Sequence, residues 1–167
     1  MTTILGLNAF HGDAAAALVV DGTLVAAAEE ERFNRVKHCA GFPAAAALWC
    51  LEDAGLTPAD VDHIAIGRDV RANAGAKLRY SLRHPPSPRY VASRLKNAAN
   101  VRDLKSRVAI ELGVPNAALR ADVHHVEHHL AHAAAAYYGS PFAFDQPTLI
   151  LTCDGAGDGL SATASIG

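Results

Sequence analysis

Residues 3–28, TILGLNAFHGDAAAALVVDGTLVAAA, decide the first layer of the fold. Thr3 to Leu7 and Ala14 to Val20 are short apolar runs of strand length, and Thr23 to Ala28 is a third. Asp21-Gly22 separates the last two. Both positions of a two-residue hairpin turn need positive φ, which aspartate and glycine accept. Asn8 to Asp13, NAFHGD, joins the first two runs through a polar turn with its own glycine, Gly12. These residues predict a three-stranded antiparallel meander.

Outward from the meander, Phe42-Pro43 opens a helix, because proline is tolerated where a first-turn N–H has no partner. Leu48, Leu51 and Ala54 fall on one side of that helix, and Gly55 is placed to cap it. Thr57-Pro58-Ala59-Asp60 reads as a turn, followed by a short strand around His63 to Gly67 and a second at Asp122 to Val126. A helix is predicted from about Glu127 to Tyr138, ending before Ser140-Pro141. Thr148 to Cys153 and Ser161 to Ile166 are expected to form a hairpin around DGAGDG, residues 154–159.

The 167 residues suit one α/β domain with a core of its own. A formal charge of −2 exerts no global pull on nucleic acid or anionic membrane. Cys39, Cys50 and Cys153 form no CxxC pair, and an odd count argues against a disulfide framework, so a cytoplasmic setting is expected. The N-terminus lacks a signal-peptide pattern, and no apolar run approaches the roughly 20 residues that span a bilayer. The charge is nevertheless uneven. Eleven of the fifteen Lys and Arg lie between Arg68 and Arg107, opposed only by Asp69 and Asp103. With Pro85, Pro86 and Pro88 inside it, this stretch reads as two helical pieces around a proline turn, inserted over about 68–112. A solvated face and an anion-facing surface both remain open, while Tyr90 as its central aromatic gives little support for stacking on nucleic acid.

Chemistry concentrates in HHVEHHLAH, residues 124–132. On a helix, positions i and i+4 share a face, so His128 and His132 can converge on one transition-metal ion, or can simply hydrogen-bond to their neighbours; His129 points about a quarter turn away. Asp154, ending an apolar strand, is a candidate third ligand, and Gly155, Gly157 and Gly159 would let backbone N–H groups approach an anion. Asp154 and Asp158 can equally serve their own turn. His11 sits in the first turn, where it could take a proton from a nucleophile or simply be exposed. The run Glu29-Glu30-Glu31-Arg32 reads as a solvated face.

Four segments in order, GLNAFHGDAAAALVVDG (6–22), AAAEEERFNRVKH (26–38), HHVEHHLAHAAAAYYGSPF (124–142) and LTCDGAGDG (151–159), resemble the N-terminal part of the O-carbamoyltransferases. This is the family of nodulation protein NodU and of antibiotic-tailoring carbamoyltransferases. The resemblance implies a Kae1-like domain with the actin/sugar-kinase/Hsp70 fold, whose lobes are ribonuclease-H-like: an antiparallel meander plus parallel strands with helices. Residues 1–146 would be the first lobe and 147–167 the first hairpin of a truncated second lobe.

The resemblance also implies roles. A YrdC-like domain, in cis or in trans, makes carbamoyl adenylate from carbamoyl phosphate and ATP, and the Kae1-like domain transfers the carbamoyl group to a hydroxyl-bearing small molecule. The family's HxxxH pair falls on His128 and His132 and an aspartate ligand on Asp154, with a further aspartate ligand expected from beyond the end; its histidine beside the carbamoyl group falls on His11 and its basic residue on Lys37. The turns holding Gly12 and Gly155 to Gly159 would present N–H groups to the nucleotide phosphate. Two imidazoles and a carboxylate suit Fe and Zn alike. Family members are several times longer, so this chain is expected to be a fragment, a truncated product or part of a split enzyme, inactive alone. A threonylcarbamoyl-tRNA-type Kae1 relative and a non-catalytic metal- or nucleotide-binding module are the alternatives.

Overall fold

The computed structural model describes residues 1–10, 12–85, 87, 104–142 and 144–167. His11 and the centre of the basic stretch, with Tyr90, lie outside them. The contacts divide the chain into two units, residues 1–66 with 89–124, and residues 67–88 with 125–167.

The first unit is built on the expected meander. Strands β1 (Thr3–Asn8), β2 (Ala15–Val20) and β3 (Thr23–Glu29) pair antiparallel. Asp21 and Gly22 take φ of 48° and 79°, so the two-residue turn matches the twist of the strands it joins. Strand β4 (His63–Ile66) lies parallel to β1, and β5 (Asp122–His125) joins β4, giving the order β3-β2-β1-β4-β5. A parallel neighbour needs a long crossover, and residues 30–62 provide it. They contain α1 (Glu31–Asn34) and α2 (Ala44–Asp53). Leu5, Leu18, Ile64 and Ile66 from the sheet are buried together with Cys50 and Leu51 of α2.

Three details differ from the sequence expectation. Helix α2 buries Ala46, Ala47, Cys50 and Leu51, while Leu48 is half-buried and Ala54 exposed. Small side chains let the helix approach the sheet closely, so the alanine face wins over the leucine at 48. The end of the basic stretch is not a solvated arm either: α4 (Leu104–Glu111) buries Leu104, Val108 and Ala109 in the core of this unit. Finally, Glu30 does not belong to a solvated face. It is buried, and its carboxylate accepts the Ala46 N–H at 2.9 Å and the Ala45 N–H at 3.3 Å, neutralising first-turn donors of α2.

The second unit holds α3 (Ala74–Arg83), α5 (His128–Tyr138) and the antiparallel pair β6 (Leu149–Gly157) and β7 (Leu160–Ile166). Helix α3 buries no residue, so Arg79 and Arg83 are solvated. The DGAGDG segment is shorter as a turn than its composition suggested. Strand β6 continues to Gly157 through a register shift after Cys153, Gly157 pairs with Leu160, and the turn is Asp158-Gly159 at φ 48° and 92°. The three cysteines are free, and among the described residues no helix is long and apolar enough to cross a membrane.

Glu30 gives a direct test of this architecture. Glu30→Ala strips the cap from α2 and is expected to cost about 1–2 kcal/mol in urea unfolding. An unchanged midpoint would show that the cap contributes nothing.

Candidate metal centre

Helix α5 starts at His128 because Glu127 stands at its N-cap with its side chain accepting the Leu130 N–H at 2.8 Å. The helix packs on β6, and its buried side carries His129 and Ala133. Alternation along a strand puts Thr152 and Asp154 on one face of β6. Successive histidines of α5 meet successive members of that face: His129 Nδ1 lies 2.7 Å from Thr152 Oγ1, and His128 Nε2 lies 2.6 Å from Asp154 Oδ2.

His132, one turn on, completes the group. Its Nε2 is 3.2 Å from His128 Nε2 and 3.7 Å from Asp154 Oδ2. The side chains are 17% exposed at His128, 39% at Asp154 and 54% at His132, so the cluster opens to solvent on the His132 side. The His128 ring beside it, the Gly155 N–H and the charge of His128 and His132 hold the Asp154 carboxyl below the usual carboxylate range. It is therefore ionised at neutral pH.

A metal ion fits this donor set. The two Nε2 atoms and the carboxylate oxygen all lie within 4.8 Å of one another. With both imidazoles protonated on Nδ1, each of the three atoms can present a lone pair inward. Ligands about 2.0–2.1 Å from a tetrahedral ion lie roughly 3.3 Å apart. The observed separations of 3.2 and 3.7 Å are close to that, and the 2.6 Å contact between His128 and Asp154 is shorter and has to open, by roughly 0.7 Å shared between the two side chains, to admit the ion. Among the described residues, three protein ligands meet here.

The remaining sequence candidates occupy varied positions. Gly155 is exposed and its N–H donates to Asp154 Oδ1, while Gly157 lies against the His128 ring with no room for a Cβ. Gly159 is in the tight turn, against the Lys77 side chain. In the first unit, Gly12 and Lys37 are exposed, and His11 lies outside the described residues. The residues flanking it are strained: Phe10 and Asp13 have φ of 66° and 60°. They are held by the segment that carries Lys37. Phe10 N–H donates to the Gly41 carbonyl at 2.7 Å, Ala14 N–H donates to the Cys39 carbonyl at 2.9 Å, and His38 Nδ1 lies 2.8 Å from Asp13 Oδ1.

Sequence reasoning passed over His38, Asp13 as its partner, and the His129–Thr152 contact. The last was signalled by Thr152 standing two residues before Asp154. Thr152 Oγ1 also lies 2.6 Å from Thr163 Oγ1, so a side-chain chain runs from β7 through β6 into α5.

The hydrogen bond and charge of Asp13 raise the His38 pKa above its ordinary 6.5. A raised histidine pKa means the ion pair is fully present below about 6.5 and is lost as pH rises through the raised value. His38 should therefore titrate above 6.5 by NMR, and Asp13→Asn should bring the midpoint down. A midpoint indifferent to Asp13→Asn contradicts the pairing.

Comparison with known proteins identifies relatives of the chain. The nodulation protein NolNO of Sinorhizobium fredii is 37% identical over 162 residues, covering 96% of this chain and 22% of that protein. The uncharacterized protein sll1178 of Synechocystis is 34% identical over 163 residues, covering 95% of this chain and 26% of that one. The chain thus spans about a quarter of the length of these relatives. Among solved structures, YeaZ from Pseudomonas aeruginosa aligns at a TM-score of 0.40 and 16% identity, over 99% of this chain and 66% of that one. The family described as carbamoyltransferase N-terminus matches residues 3–165, and this chain belongs to it.

Proposed function

We propose that His128, His132 and Asp154 form a metal centre that serves carbamoyl transfer from carbamoyl adenylate to a substrate hydroxyl, in a ribonuclease-H-like lobe of the Kae1 type. The observation that carries this reading is the convergence of three lone-pair donors within 4.8 Å in a chain of the carbamoyltransferase family. A transition-metal ion, Fe or Zn, would supply a Lewis-acid contact to a phosphate oxygen of the donor.

The remaining chemistry belongs to the chain. The acceptor oxygen bonds to the carbamoyl carbon, the bond from that carbon to the phosphate oxygen breaks, and AMP leaves with the electron pair. His11 is assigned the hydroxyl proton, as general base. Its turn is supported for such a task by the strained residues 10 and 13 and by the segment 38–41 that holds them. Exposed Lys37 and the N–H of Gly12 are assigned to the nucleotide phosphate. Gly157 serves differently, by leaving room for the His128 ring. Turnover is assigned to the protein as a whole, with a YrdC-like domain in cis or in trans making the donor from carbamoyl phosphate and ATP.

The test uses a non-hydrolysable sulfamoyl analogue of carbamoyl adenylate and calorimetry. The Zn-loaded chain should bind it about tenfold or more tightly than the chelated chain, a difference of about 1.4 kcal/mol, and His132→Ala should remove the difference. Equal affinity with and without metal would separate the cluster from the donor and end this reading.

A further inference from the structure

Asp158 lies in the same unit as the metal cluster and outside its ligand set. Its side chain is 6% exposed, and a buried carboxylate is stable only when its charge is met by donors. Here the donors are specific. Oδ2 accepts the Asp69 N–H at 2.8 Å and the His128 N–H at 3.1 Å, and Oδ1 lies 3.9 Å from the Lys77 ammonium. The Asp158 carbonyl accepts Asn73 Nδ2 at 3.2 Å.

The His128 N–H is the first of α5, and first-turn N–H groups have no acceptor inside their own helix. A buried negative charge there satisfies that donor and the positive end of the helix dipole together. The same residue forms the β6–β7 turn at φ 48°, four positions after Asp154 on the chain. Asp158 therefore joins the strand that carries one ligand to the helix that carries the other two.

We infer that Asp158 is a positioning residue of the metal centre: its carboxylate fixes the His128 backbone to the turn that ends the Asp154 strand. The inference rests on the metal reading above. Three contacts then define the place of His128. Asp158 holds its N–H, Gly157 offers a flat backbone against the ring, and Asp154 meets Nε2. A metal site tolerates ligand displacements of only about 0.5 Å, so loss of the backbone anchor should reach the ion.

The experiment compares the 167-residue chain with Asp158→Asn and His128→Ala, using Zn2+ affinity by chelator competition, Co2+ ligand-field spectra, and amide exchange of the metal-free chain. Asp158→Asn should weaken Zn2+ binding about 10–100-fold, the range for groups that orient ligands. It should also shift the Co2+ bands at saturation and speed exchange of the His128 amide. Asn73→Ala, which loosens the same turn more gently, should weaken Zn2+ about threefold to tenfold and carries the test where Asp158→Asn folds poorly. Full Zn2+ affinity in Asp158→Asn or a folded Asn73→Ala chain, beside its loss in His128→Ala, overturns the positioning role and spares the metal reading. Zn2+ affinity indifferent to His128→Ala overturns both.

Discussion

The seating of α5 on β6 governs the chemistry of the second unit. A helix can slide and rotate on a strand unless directional contacts fix it, and an apolar face of alanines offers few. Here the fixing comes from polar pairs in sequence: His129 on Thr152, His128 on Asp154, and the His128 N–H on Asp158. The helix period of 3.6 and the strand period of 2 bring these pairs into line at one end of α5. His132 then has its place by helix geometry alone.

The first unit uses polar contacts in a different way. Its core is apolar and ordinary, with Leu5, Leu18, Ile64 and Leu51 buried. Its unusual feature is the crowding of positive φ at Phe10 and Asp13 and at Arg35 and His38 on the segment bonded to them. Aspartate and histidine accept such backbone at modest cost, but phenylalanine does so only where neighbours enforce it. The Gly41 carbonyl bound to Phe10 N–H supplies that enforcement.

Much of this was legible in the sequence. The Asp21-Gly22 turn fixed the pairing of two strands, and the four-residue spacing of His128 and His132 placed both on one face. The length of β6 was not legible, since DGAGDG has the composition of a loop; pairing with β7 carries the strand on to Gly157. Nor was Glu30 legible as a helix cap, because its partners at Ala45 and Ala46 lie across a connection that only the folded chain closes. Asp158 shows the same limit. A turn aspartate usually serves its own backbone, and its assignment to His128, thirty residues away, depends on tertiary packing. The family resemblance supplied what local pattern could not, namely that the histidine pair and Asp154 belong together.

A metal ion bound by His128, His132 and Asp154 is tested most directly by anomalous diffraction from crystals grown with Zn2+ or, anaerobically, Fe2+. The predicted result is one strong anomalous peak about 2.0–2.2 Å from His128 Nε2, His132 Nε2 and an Asp154 carboxylate oxygen. A map with no peak there, or with the ion seated on other residues, would contradict it.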